Sequence, residues 1–558
     1  MDVLSKNLQF VNQDNNPYII KAIKTLFTQN FIIFFEKLLN IFDENFQSIE
    51  EHRITRQWQI KNDTYKFSFN HNIIYEKNPN WKIDPLPHNL FNRQIDIGDV
   101  DPSNIEHLLK ALNSGAQGVQ VDFDDGFCPY WSNVIKGHHN IYLICRGLLK
   151  YKNLTYNLNN INTISYIMFR PRALNMIERN ILVNGKRVSG ALLDFALHIY
   201  HNGALLNKYD KGPYFYLSKI ESYTETFFWN DVFDWTEKEL KLSSGCIKAC
   251  VLIECLTAVF QMDEILWSLK KHSAGLNCGL WDYSASFITR LGHNKKLLFP
   301  DRSKYVNMSQ SFLSNYRKLL VSICHKRGAP ATGGMFALVQ DLSVMSREKL
   351  IEILLENKKI ETLIGADGGL VYDLSLVEPL KELYKELFPN GKLNQIDEIW
   401  TLNYLNNKNE EDLLCIPQTG GATFDGLKLN IEVIILFIEN WILKKGHFIY
   451  KGKVEDSATA EISRSQIWQQ IRHKAVFEIT NDNEKLFLPH NISLSFVYNL
   501  TQQIINQFID QTNFFEKLFR KNLLKSVFLI FIDLVTRRDC PIFLTSYLED
   551  QRILQPKN

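Results

Sequence analysis

Glu254 and Asp282 are the first residues in this 558-residue chain whose types and spacing suggest chemistry. An apolar run from Ile247 to Ile253 ends on Glu254, and a glycine-punctuated segment from His272 to Tyr283 carries Asp282. Their separation is that of one βα unit, so neighbouring parallel strands would bring both acids to one mouth, where a hard cation can bridge them. Two carboxylates, with waters and substrate oxygens completing the shell, suit Mg2+, which prefers octahedral oxygen and keeps several waters. Stripped of their surroundings, the same residues read as a helix acid and a turn cap, and that plainer use is the commoner one.

Arg170 stands in Met168-Phe169-Arg170-Pro171-Arg172, where the proline ends an apparent strand and leaves Arg170 on its rim. A guanidinium keeps its charge at neutral pH and suits the stabilisation of an enolate or carbonyl oxyanion, although a surface salt bridge is the commoner use. In Asp122-Phe123-Asp124-Asp125-Gly126, alternation puts Asp122 and Asp124 on one face. They could lie behind a metal and order its water, or be solvated loop acids. Glu455-Asp456 opens a helical segment and by composition is an ordinary acidic helix start, favoured by the macrodipole. Cys324–Ala329 reads as a helix C-terminus in which His325 packs or caps and does not ligate. Gly365-Ala366-Asp367-Gly368-Gly369 and Thr419-Gly420-Gly421 read as turns.

The elements that must hold these residues follow from texture. Residues up to about 80 carry helical periodicity from Ile19 to Phe46 and then a polar, Asn-rich stretch. From Trp81 onward, short apolar runs bounded by Gly, Pro and Asn alternate with amphipathic segments, the pattern of repeated βα units. Strands are expected at Gly118–Phe123, Ile164–Phe169, Tyr214–Leu217 and Ala249–Ile253, near Leu276 and near Gly334–Leu338, with a helix over Ser311–Lys326. Several end beside a charged residue: Asp124 and Asp125, Arg170, Lys219, Glu254, Asp282. In a parallel barrel such ends share one rim. Gly391–Glu411 reads as a linker, and Leu429–Lys444, Ser463–Ala475, Leu494–Gln511 and Phe514–Val535 as the helices of a C-terminal domain.

Composition narrows the class. With 45% hydrophobic and 22% charged residues the chain resembles a globular protein with a large core, and a net charge of +2 gives no reason to expect nucleic acid. Its nine cysteines form no CxxC pair and read as free thiols in a reducing compartment, with neither disulfides nor zinc. Met1 to Pro17 is polar, unlike a signal peptide. The apolar runs Phe31–Phe42, Ile431–Leu443 and Val527–Val535 are too short or interrupted to span a bilayer, so no membrane partner is expected. The ending Gln555-Pro556-Lys557-Asn558 carries no Ser-Lys-Leu type of address. A cytoplasmic home is expected, with a peroxisomal one the alternative; no oligomeric state is indicated.

The wording Lys-x-His-x-x-Gly-Leu-Asn-x-Gly-x-Trp-Asp-Tyr, from Lys270 through Tyr283, resembles the signature of malate synthases of the short, A-type form. So do Gly212–Leu217, Val251–Leu266, Cys324–Met335 and Glu455–Trp468, and the likeness runs from about Trp81 to His473. The resemblance implies a (β/α)8 TIM barrel over 81–390, an N-terminal helical clasp over 1–80 and a helical C-terminal plug over 391–558. It further implies Glu254 and Asp282 as Mg2+ ligands, Arg170 as catalytic arginine and Asp456 as catalytic carboxylate. The implied reaction is a Claisen condensation of acetyl-CoA with glyoxylate, then hydrolysis to malate and CoA in the glyoxylate cycle. Departures from the pattern include Leu280 for an arginine, Lys271 for an amide or acid, Ala173 and Asn175 for Gly and His, and Asp124 for a glutamate. Gly365–Leu374 departs most. These keep open a divergent condensing enzyme or lyase acting on another acyl-CoA or α-keto acid, or a catalytically impaired relative.

Overall fold

The computed structural model describes residues 7–11, 15–69, 78–159, 165–416, 420–479 and 488–551. Eight parallel strands close into a barrel in chain order: β1 Ile95–Val100, β2 Gly118–Asp122, β3 Tyr166–Arg170, β4 Tyr214–Leu217, β5 Lys248–Ile253, β6 Ser273–Cys278, β7 Ala331–Phe336 and β8 Gly368–Val371. β8 returns to β1 through Gly369↔Ile95 and Val371↔Ile97, completing the expected (β/α)8 architecture. Every residue of seven of these strands is buried, β7 alone being partly covered. Strands covered on both faces read as near-continuous apolar runs, as β3 to β5 do, while β2 and β6 are shorter apolar stretches around Gln120 and Asn277. Below the mouth, Arg93 Nη2 donates to Tyr216 Oη (2.7 Å) and Asp96 Oδ2 (3.2 Å), a polar floor inside the barrel.

Two strands depart from the expectation. β1 gives no strand signal in the sequence, because Asp96, Gly98 and Asp99 break its apolar run. β8 replaces part of the turn expected at Gly365–Gly369. A Cβ on Gly368 would lie 2.0 Å from the Arg93 carbonyl oxygen, so glycine is what lets β8 close against β1. The strand expected from Ile164 begins at Tyr166; Ile164 lies outside the described residues, as do Thr419 and the Gln555–Asn558 ending.

On the outside, helix α1 (Gln29–Lys61, 33 residues) clasps the barrel with Phe31, Phe34 and Phe42 against Tyr200, Trp235 and Phe228. It runs well past Phe46 because its polar half, rich in Glu, Gln and Arg, retains good helix formers. Helix α2 (Leu280–Leu291) follows β6, and α3 (Ser311–Lys326) precedes β7. The segment expected as a linker is instead part of the wall: a 3-10 helix, Ile399–Asn407, packs on α3. There Ser322 Oγ donates to the Thr401 carbonyl (2.5 Å), and His325 lies between Thr401 Oγ1 (2.9 Å) and Asp367 (3.0 Å).

Beyond it the chain is helical, with α4 (Phe424–Ile442) and α5 (Ser457–His473) packed together and α5 also on α2. A hairpin, Phe448–Tyr450 with Lys453–Glu455, joins them and knits into the loop after β7: Val454 N donates to Ala337 O (2.9 Å) and Val339 N to Gly452 O (3.0 Å). No single helix among the described residues is long and apolar enough to cross a membrane.

Candidate active site at the barrel mouth

Glu254 follows β5 directly and is buried, its Oε1 accepting from Lys219 N at 2.6 Å. Asp282 is not at a strand end, as its spacing suggested, but in the first turn of α2, where the macrodipole favours an acid. Gly279 makes the turn between them: a Cβ there would lie 2.9 Å from Glu254 Cβ. Asp125 completes the group. One carboxylate oxygen from each of Asp125, Glu254 and Asp282 lies within 4.8 Å of the other two. An octahedron with Mg–O bonds of ~2.1 Å has oxygens roughly 3 to 4 Å apart, so this all-oxygen set fits a small hard cation.

Arg170 ends β3 and is held by three carboxylates. Nε and Nη2 donate to Asp122 Oδ1 (2.6 Å) and Oδ2 (2.5 Å), Nη2 also to Asp99 (3.1 Å) and Nη1 to Asp125 (3.1 Å). The salt-bridge use of an arginine is therefore present, but buried, and its partners are the site acids. Asp122 also accepts from the backbone of Asp124 (2.7 Å) and Gly126 (2.6 Å), so it fixes Arg170 and the Asp-rich turn together. Asp124 takes Lys219 Nζ (3.0 Å) and Ala173 N (3.3 Å).

Asp456 arrives from the other domain. It caps α5, its Oδ1 accepting from Thr459 N (2.9 Å) while Thr459 Oγ1 accepts from its own N–H (2.9 Å). Ser457 anchors this cap to the barrel through its hydroxyl on Asp125 and its N–H on the Asp125 carbonyl (3.3 Å). Asp99, Asp125, Arg170, Glu254, Asp282 and Asp456 line one cavity of about 190 Å³ whose apolar wall includes Leu252, Leu280, Met308 and Leu370.

The electrostatics show an excess of negative charge. Burial pushes the Glu254 carboxyl up to about 7, Lys219 opposing and Asp125 adding to the rise. Burial likewise raises Asp282 and Asp99 well above the carboxylate range, and raises Asp456, where Asp125 adds to the effect. Asp125 is the exception: burial would raise it, but Lys219 and Arg170 outweigh that and bring it down to about 2. Clustered carboxylates that resist ionisation mark a place prepared for a cation.

Three of these residues escaped the sequence reading as actors. Asp99 lies in the unassigned β1. Asp125 is visible in Asp-Asp-Gly, but nothing there marks it as a ligand, and Lys219 reads only as a charged strand end. The departures also find places. Lys271 pairs with Asp234 (2.5 Å) at the far end of the barrel, Asn175 donates to Ser546 of the C-terminal domain (2.8 Å), and Tyr372 shares a hydrogen bond with His447 (3.0 Å).

Against known proteins, the family profile described as "Malate synthase, TIM barrel domain" matches residues 166–416, and "Malate synthase, C-terminal" matches 421–539. The chain is 35% identical to malate synthase of Dictyostelium discoideum over 82% of its own length and 84% of that protein's. It is 34% identical to malate synthase A of Escherichia coli (strain K12), over 81% and 83% respectively. To the glyoxysomal malate synthase of Gossypium hirsutum it is 38% identical, over 72% and 70%. Likeness of this extent, spanning both the barrel that carries the acids and the helical domain that delivers Asp456, makes this chain a member of the malate synthase family.

Proposed function

We propose that this chain condenses acetyl-CoA with glyoxylate at the barrel mouth, with Asp125, Glu254 and Asp282 holding Mg2+ and with Arg170 and Asp456 acting on the acetyl group. The family reaction is an acyl transfer that makes malate and CoA in the glyoxylate cycle, and the chain is an enzyme of that class. The observation that carries the residue assignment is convergence: three separate strand ends, a helix turn and a capping residue from another domain bring these groups to one cavity.

Mg2+, when bound, would polarise the aldehyde of a chelated α-keto acid. The chain's own residues do the rest. Asp456 is the base for the acetyl methyl proton, and burial among other acids raises its proton affinity toward the operating pH, which suits a base. Four of the five Arg170 N–H groups are committed to making its position rigid. The remaining hydrogen on Nη1 and the fixed charge face the developing enolate oxygen. Asp99 and Asp122 hold that guanidinium in place. The capping box of α5 holds Asp456, so closure of the helical domain on the barrel completes the site and excludes water. Hydrolysis of the malyl thioester then releases (S)-malate and CoA.

Part of this reading is the division into a clasp over 1–80, a barrel and a C-terminal domain, with the barrel's end moved from 390 to about 416. The nine cysteines are free, as a reducing compartment such as the cytoplasm leaves them, while glyoxysomal relatives keep a peroxisomal home as the alternative. Leu280 and Leu370, which stand in the departing blocks, line the cavity and favour a second reading in which a bulkier α-keto acid replaces glyoxylate. Thiol release from acetyl-CoA, followed with glyoxylate and with larger α-keto acids, separates the two: release dependent on glyoxylate is expected. Release only with another keto acid establishes the second reading, and none with any rejects both.

A further inference from the structure

Lys219 is the residue whose construction the reaction does not explain. It lies just past β4 with φ of +51°, left-handed backbone that a lysine rarely adopts. Two contacts pin that conformation: its N–H donates to Glu254 Oε1 (2.6 Å), and its carbonyl accepts from Arg53 Nη2 of the clasp helix (2.8 Å). Its side chain is 4% exposed, with Nζ on Asp125 Oδ1 (2.6 Å) and Asp124 Oδ2 (3.0 Å) and 3.8 Å from Asp282 Oδ2. One lysine therefore touches or approaches all three members of the carboxylate trio, one through its backbone and two through its ammonium.

The geometry points to Lys219 as a resident counter-cation that keeps the Asp125–Glu254–Asp282 trio assembled when no metal is bound and yields to the metal when it arrives. This inference rests on the Mg2+ reading above. Its physical basis is charge and reach. Seven buried acids crowd the mouth (Asp99, Asp122, Asp124, Asp125, Glu254, Asp282 and Asp456), and among the described residues the cations that bond them there are Arg170 and Lys219. Arg170 is fixed by three carboxylates, whereas an ammonium on a flexible four-carbon stem can shift between seats. Asp124, which offers Lys219 an oxygen outside the trio, is that second seat. The ammonium sits where it competes with a metal for Asp125 and Asp282, and the strained backbone holds Glu254 ready whichever cation is present. Lys219 is thus a positioning residue: it touches the metal ligands, and nothing in the arrangement gives it a substrate atom.

The test is Lys219→Met, which keeps length and removes charge, read by calorimetric titration of Mg2+ into chelator-stripped protein and by thermal unfolding with EDTA or Mg2+. Loss of a positive charge beside the site is expected to tighten Mg2+ binding about tenfold. K219M is expected to lose several degrees of Tm in EDTA and to recover them in Mg2+, while the wild type changes much less between the two. Lys219→Arg, which keeps the charge, is expected to restore Tm in EDTA. Equal or weaker Mg2+ binding by K219M, or the same loss of Tm in both conditions, overturns the inference. If K219M does not fold in EDTA yet folds in Mg2+, the inference stands; if it folds in neither, a K219R protein that is as unstable in EDTA overturns it. A wild-type protein that binds no Mg2+ defeats the metal reading itself, which is a different result from metal binding that K219M leaves unchanged.

Discussion

The two ends of the barrel each carry a cluster of acids and a buried lysine or histidine, yet only one resembles a reaction centre. At the closed end, Asp234, Glu237 and His272 lie within 4.8 Å of one another, close enough to hold a metal. There Lys271 Nζ bonds Asp234 (2.5 Å) and approaches Glu237 (3.3 Å), His272 meets Asp234 (3.2 Å), and Glu237 also accepts from Gly245 N and Ile247 N. Each acid has its cation or its backbone donors, and the cluster is satisfied. At the mouth the acids outnumber the cations, several are held well above their ordinary range, and the surplus faces a cavity. Proximity of ligand-type side chains is common to both ends; unbalanced charge beside open volume is what distinguishes a site from a staple.

The sharpest way to break that contrast is to remove one charge at each end. Asp282→Asn is expected to weaken Mg2+ binding by about a hundredfold or more and abolish turnover with the fold intact, measured by titration, thiol release and circular dichroism. Next in size, Asp456→Asn is expected to lower turnover about a thousandfold and to stop exchange of the acetyl-CoA methyl protons with solvent, followed by NMR, because an amide cannot take the proton. Arg170→Lys keeps a charge but not the planar fork. It should cost about a hundredfold in kcat with a smaller change in glyoxylate KM; a change in KM alone would make Arg170 a binding residue.

The pH dependence of stability sharpens the same comparison. Glu254 is raised to about 7 in the folded, metal-free protein, so its contribution is full below the usual carboxylate range and is lost as pH rises through about 7. Tm in EDTA is therefore expected to fall from about pH 4.5 to about pH 7 and to level off above it, and saturating Mg2+ to reverse the trend, since the metal takes the proton's place. Smallest of all, Asp234→Asn at the closed end removes a half-exposed pair and should cost about 1 kcal/mol, with kcat and metal affinity unchanged.

The sequence made the barrel and the helical domain legible because their signals are local: β3 to β5 are near-continuous apolar runs, β2 and β6 are short apolar stretches that lead to site acids, and the C-terminal helices keep their period. β1 and β8 were not legible for a physical reason. Asp96 and Asp99 serve the barrel interior and Gly368 its closure, and each erases the apolar pattern of the strand that carries it. The same cause hid Asp99, while Asp125 was hidden by its neighbours, since three acids in one short turn give no sign of which oxygen faces the cavity. Lys219 depends on contacts with Arg53, Asp124 and Glu254 from three distant segments, which no spacing encodes. The 3-10 segment Ile399–Asn407 looked like a linker because its Asn-rich composition conceals Thr401, whose burial comes from α3.

Anomalous diffraction from crystals equilibrated with Mn2+, a redox-quiet stand-in for Mg2+ in an oxygen site, tests the central claim most directly. The expected result is one peak at the mouth, ~2.1 Å from an oxygen of each of Asp125, Glu254 and Asp282, and none between Asp234, Glu237 and His272. A peak at the closed end, or an empty mouth in crystals of protein that binds the metal in solution, would contradict it.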